Sequence, residues 1–221
     1  LQAHLTVTAG RSRTIPAGVT VQQGTSPYYD PFTIYVDGRL EAGGASFAGS
    51  DSCSLPLYAR NGGVVNLTNC TLANYVAVHY QAGSSGAVSG CTLSTLYLEG
   101  GAVSVTGSTL ASLVLSSGAV TVSGNTFSDT MPIQLGDPDV AVSGIRSNTY
   151  TAGLPVLGLA GTLDSGNRTL GAVDGLRTYT LQDNLTVNAG PTLTRPAGVT
   201  VQHGTSPYYD PFTIYVDGRL E

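Results

Sequence analysis

The sequence predicts an all-β chain wound as a parallel solenoid, and three observations predict it. Short runs alternate Val or Leu with Ser, Thr or Ala and are punctuated by Gly, whereas no stretch keeps apolar residues at helical spacing beyond a turn. A tetrapeptide recurs at an average spacing of 19 residues. A far longer stretch recurs at an offset of 180.

The short repeat sets the coil. Asn69-Cys70-Thr71-Leu72, Gly90-Cys91-Thr92-Leu93, Gly107-Ser108-Thr109-Leu110, Gly124-Asn125-Thr126-Phe127 and Ser147-Asn148-Thr149-Tyr150 line up, with a looser Ser52-Cys53-Ser54-Leu55 before them. Successive gaps are 17, 21, 17, 17 and 23. Around each lie a Gly-Ala-Val alternation and a second apolar pair, such as Leu96/Leu98, so that each coil carries three short strands. Residues two apart on a strand share a face. Cys53, Cys70, Cys91, Ser108, Asn125 and Asn148 should therefore form one inward column and Leu55, Leu72, Leu93, Leu110, Phe127 and Tyr150 another, with the Thr between them outward. One such coil buries nothing alone; stacking at ~4.8 Å closes a continuous core. Crossovers between parallel strands favour a right-handed wind.

The long repeat sets the domain plan. Residues 1–41 and 181–221 match at 33 of 41 positions without a gap. The chain then holds one whole unit, 1–180, and the first coils of the next, 181–221. At nine or ten coils each, a unit would rise roughly 45 Å.

Composition narrows the function. Of the 221 residues 41% are hydrophobic and 10% charged, at a net charge of −5, which suits a packed chain rather than a disordered one. All nine basic residues are Arg and there is no Lys, so no basic stripe exists to bind nucleic acid. No apolar stretch approaches the ~20 residues of a membrane helix, and no signal-peptide pattern opens the sequence.

The run Leu5-Thr-Val, Thr14-Ile-Pro-Ala-Gly-Val-Thr-Val21 and Ile34-Tyr-Val-Asp-Gly-Arg-Leu-Glu41 resembles the recurring motif of bacterial secreted right-handed parallel β-helix proteins of the pectate-lyase-like superfold. Asn125 and Asn148 resemble that superfold's asparagine ladder. The resemblance implies an extracellular or cell-surface location and either of two functions. One is a non-enzymatic rod or fibre of tandem units, adhesive through its loops. The other is a carbohydrate-active enzyme or carbohydrate-binding module.

Pectinolytic members use clustered Asp residues; here only Asp129, Asp137 and Asp139 come near to clustering, and they read as polar turn residues. His79 reads as a residue of an exposed inserted stretch. His4 and His203 face Asn184 and Gln23 in the other copy, an exchange unsuited to a site needed in each unit. The three cysteines admit reduced buried thiols or one bridge, Cys53–Cys70 or Cys70–Cys91. The loop Thr25-Ser-Pro-Tyr-Tyr-Asp-Pro-Phe32, repeated unchanged at 205–212, places Tyr28, Tyr29 and Phe32, with Tyr208, Tyr209 and Phe212, either in contact with a ligand or another rod, or folded back on the solenoid. No catalytic residue, metal or cofactor is assigned. Expected partners are neighbouring units stacked end to end, further copies in a filament, or a glycan or surface ligand.

Overall fold

A computed structural model describes residues 3–24, 32–50, 54–73, 75–204 and 212–221. Among these residues there is no helix, and the strands run from two to ten residues. Every pairing between the strands is parallel.

A parallel neighbour can be reached only by a crossover, and here the chain makes each crossover out of further strands. After Ile34–Val36 it runs through Arg39–Gly43 and Ser46–Ala48, and Leu57–Ala59 then returns beside Ile34–Val36. Repetition of this pass builds three rows. The first aligns Leu5, Ile34, Leu57, Val78, Leu96, Leu113, Ile133, Leu157, Tyr179 and Val201 in register. The second is a seven-stranded sheet between Ser12–Ile15 and Ile145–Arg146. The third holds Thr20–Gln22, Ser46–Ala48, Thr71–Ala73, the first residues of Thr92–Glu99 and Thr109–Ser117, then Thr126–Phe127 and Thr149–Tyr150. Those two long strands turn a corner and join the first and third rows into one 16-stranded sheet. Paired residues lie 17 apart at Leu96/Leu113, near the coil length read from the tetrapeptides, and 29 apart at Leu5/Ile34, where the loop at 25–31 is inserted.

The core lies between the rows. Ile34, Leu57, Val78, Leu96, Leu113, Ile133 and Leu157 are all fully buried and stack upon one another. Size is balanced along such columns. Tyr80 stands between Ala59 and Leu98 in register, and its ring crosses the interior to donate a 2.8 Å hydrogen bond to the Val65 carbonyl. Ala59 leaves room for that ring, as does Gly86, where a Cβ would stand 3.0 Å from it.

The second copy of the long repeat continues these rows without a linker. Thr178–Val187 crosses position 180/181 as one strand and pairs with Leu157–Leu163 on one side and with Thr200–Gln202 and Ile214–Val216 on the other. Local register is preserved between copies: Leu5 pairs Ile34 as Leu185 pairs Ile214, and Ser12 pairs Arg39 as Thr192 pairs Arg219. The exchange of His4 for Asn184 is chemically conservative. His4 Nδ1 accepts from the Thr33 N–H at 3.0 Å, and Asn184 Oδ1 accepts from the Thr213 N–H at 2.8 Å.

The copies nevertheless occupy different rows. Thr20–Gln22 pairs with Ser46–Ala48 in the third row. The identical Thr200–Gln202 pairs with Thr178–Thr180 in the row that begins at Leu5–Val7. Over 180 residues the chain therefore completes eight passes and steps one row further.

Leu96 has its side chain enclosed by Val78 and Leu113, so Leu96→Ala should cost about 3 kcal/mol, whereas truncation of the outward Tyr97 should cost less. Urea unfolding of the two variants measures the difference.

Candidate functional site

Two side-chain rows run along the stack, one inside and one outside. The inner one begins at a strained backbone position. Asn69, Gly90, Gly107, Gly124 and Ser147 have φ of 52°, 62°, 57°, 67° and 58°. This left-handed conformation suits Gly and is tolerated by small polar residues, and it tips the next side chain into the interior. That side chain is Cys70, Cys91, Ser108, Asn125 or Asn148 in turn, the first four buried and Asn148 half-buried. The Thr residues that follow point outward, and Leu72, Leu93, Leu110 and Phe127 point inward, with Tyr150 half-buried beyond them.

Each inward polar group works in two directions. The Cys70 N–H donates to Cys91 Sγ at 3.3 Å, Cys91 N–H to Ser108 Oγ at 3.1 Å, Ser108 N–H to Asn125 Oδ1 at 2.9 Å, and Asn125 N–H to Asn148 Oδ1 at 3.0 Å. The same side chains donate to carbonyls: Cys91 to Ser89, Ser108 to Thr106, Asn125 to Val105 and Asn148 to Val122. Thiol, hydroxyl and amide share the one property the slot demands, a donor and an acceptor on a short stem. The series ends on a residue that only accepts. Both oxygens of Asp174 take up the run, receiving the N–H groups of Ser147 and Asn148, the Asn148 amide and the Tyr150 hydroxyl at 2.7–3.0 Å. Burial and the neighbouring Asp174 carboxylate both raise the Tyr150 pKa.

Register corrects the head of this series. Ser46 pairs Thr71 and Phe47 pairs Leu72, so Ala45 stands beside Cys70 and Phe47 beside Leu72. Leu55 is fully buried, but its N–H bonds the Tyr75 carbonyl and it belongs to the first row, beside Val76. The tetrapeptide at 52–55 is a look-alike within a longer pass, and Cys53 lies outside the described residues. Cys70 and Cys91 are free thiols.

The outer row was missed in the sequence. Tyr35, Tyr58, His79 and Tyr97 occupy one outward register. Their rings stack at 5.9, 4.4 and 4.4 Å, with interplanar angles falling from 22° and 25° to 5°. His79 is thus a half-buried strand residue between two phenol rings, bonded through Nδ1 to Glu99 at 2.9 Å, and not part of an exposed insertion. Arg60 lies 4.0 Å over the Tyr35 ring and grips Asp37 with two nitrogens at 2.9 and 3.3 Å. That guanidinium holds the Asp37 carboxyl below its ordinary range, with help from Asn61. Burial, then Glu99, pushes Tyr58 up. The available signal was one aromatic residue per pass, each between two inward apolar positions.

The acidic residues act locally. Asp137 accepts from the Asp139 N–H at 2.7 Å, Asp139 pairs with Arg168 at 3.1 Å, and Asp129 accepts from Thr130 and the Met131 N–H. Among the described residues no three His, Cys, Asp or Glu side chains converge to hold a metal. Of the loop residues, Tyr28, Tyr29, Tyr208 and Tyr209 lie outside the described residues. Phe32 meets His4 edge-on at 6.3 Å, and Phe212 stacks on His203 at 6.1 Å. No helix of the described residues is long and apolar enough to cross a membrane. No family model, no curated protein and no solved structure matches the chain.

Ser108→Ala leaves the buried Cys91 N–H without its acceptor and should cost about 1–3 kcal/mol, with Ser108→Cys retaining most of the stability; chemical denaturation compares them. Burial pushes the Cys91 thiol up to about 11. A group raised in the folded state contributes stability that is whole below the ordinary thiol range and is lost as pH rises through the folded value. Wild-type stability should therefore fall more steeply than that of Cys91→Ser between pH 9 and about 11, read from denaturation midpoints along that range.

Proposed function

We propose that this chain is a non-enzymatic segment of an extracellular or cell-surface rod or fibre. Its fold is a right-handed parallel β-helix of the pectate-lyase-like kind, built from tandem units of which 1–180 is one and 181–221 opens the next. One observation carries the reading: the boundary between copies falls inside the strand Thr178–Val187, which is paired on both sides. Units that join through an unbroken strand transmit load through backbone hydrogen bonds, with no hinge at the seam.

The inner ladder and the outer ring row support the same reading. Both lie along the stack and tie each circuit to the next, as a load-bearing rod requires. The rival, a carbohydrate-active enzyme, asks for carboxylates converging on a groove. Asp129, Asp137 and Asp139 instead engage backbone or Arg168 beside them. Adhesive contacts to a glycan or surface ligand would fall to the loops that carry Tyr28, Tyr29 and Phe32 and their copies Tyr208, Tyr209 and Phe212.

Eight circuits and a third, at the ~4.8 Å spacing of paired strands, make a unit about 40 Å long. Chains of one, two and three units should appear in electron micrographs as unjointed rods that lengthen by that step. Beads on a flexible string would refute the rod. Product release from pectin or alginate, abolished by changing the three Asp residues, would favour the enzyme.

A further inference from the structure

The last ten residues repeat residues 32–41, and the two copies differ in what lies above them. In the first copy Ile34, Val36 and Leu40 are fully buried. In the second their counterparts Ile214, Val216 and Leu220 are 37%, 41% and 51% exposed, and Tyr215 is 53% exposed. Beside them opens an apolar hollow of about 470 Å³ walled by Leu185, Leu193 and Val201. The first copy shows what closes such a face.

There the cover is residues 54–68. Leu57, Tyr58 and Ala59 pair with Ile34, Tyr35 and Val36, and Val65 and Asn66 pair with Leu40 and Glu41. Polar contacts fix the alignment. Arg60 spans Asp37 and the Tyr35 ring, and Asn66 Nδ2 donates to Glu41 Oε1 at 2.9 Å. At the turn between the two strands Gly63 lies against the Val36 carbonyl so closely that any Cβ would collide with it. Each receiving group recurs in the second copy as Tyr215, Asp217 and Glu221, and among the described residues no cation reaches Asp217.

We infer that the face made by residues 212–221 is a strand-accepting interface, and that its occupant is a strand–turn–strand segment with the pattern of residues 54–68. That pattern is Leu-aromatic-Ala-Arg, a Gly-Gly turn, and Val-Val-Asn. The inference deepens the rod reading, on which it rests, by naming what one unit must offer the face before it. The N-terminal strands of a second copy fit poorly. In the same register they would set Arg13 where Val65 stands over Leu40, burying a guanidinium on Leu220, and Thr8 where Arg60 stands over Asp37. An unpaired charge in that position opposes docking.

A fluorescently labelled peptide of residues 54–68, titrated with the 221-residue chain and followed by anisotropy, tests the assignment. Saturable binding is expected. It should weaken roughly tenfold for the peptide Gly63→Ala and for the chain Asp217→Arg, and the peptide Arg60→Asp should restore binding to Asp217→Arg. Asp217 is at the open end, so its replacement leaves the core untouched. No saturable binding up to about 1 mM, or equal binding of a scrambled peptide, overturns the assignment. So do head-to-tail dimers that excess peptide fails to dissolve, which would give the face to a second copy. Loss of binding sinks this interface alone, because the length series tests the rod separately.

Discussion

Parallel pairing leaves each pass dependent on its neighbours, because a strand cannot satisfy its backbone groups within its own pass. Everything else in this chain accommodates that dependence. Where the third row begins, the backbone turns through a left-handed residue and one N–H per pass faces the interior. The side chain of the following pass must accept it. A Cys, Ser or Asn does so and passes the obligation on through its own N–H, until Asp174 ends the run with oxygens that need no further acceptor. Burial of an unanswered N–H is the cost that keeps these positions polar in the middle of an apolar core.

Much of this was legible in the sequence. The all-strand, parallel character followed from alternation and turn spacing, and the inward placement of Cys70, Cys91, Ser108 and Asn125 followed from the period of two along a strand. The interchange of Cys with Ser and Asn, read as a size class, proves to be a hydrogen-bonding class. What failed was alignment where passes lengthen. Between Ala45 and Cys70 the chain needs 25 residues, and Ser52-Cys53-Ser54-Leu55 sits inside that span with a convincing likeness. Local grammar cannot distinguish a rung from its imitation; only register can.

The outer ring row escaped for a different reason. Its members are one residue per pass, alternate between phenol and imidazole, and are flanked by apolar residues that dominate any pattern. Stacking at 4.4 Å makes His79 part of a continuous column, and that column is a product of the strand spacing rather than of any motif. The same holds for Arg60, whose two contacts lie on the preceding pass, 23 and 25 residues away in sequence.

The one-row step between Thr20–Gln22 and Thr200–Gln202 has a consequence for any longer assembly on this plan. Identical surface groups in successive units would face three azimuths in turn, like treads of a spiral stair, and would come back to the same side only every third unit. Such an object has no front or back. Whatever its exposed side chains touch could be met from any direction around the axis, without the molecule having to roll.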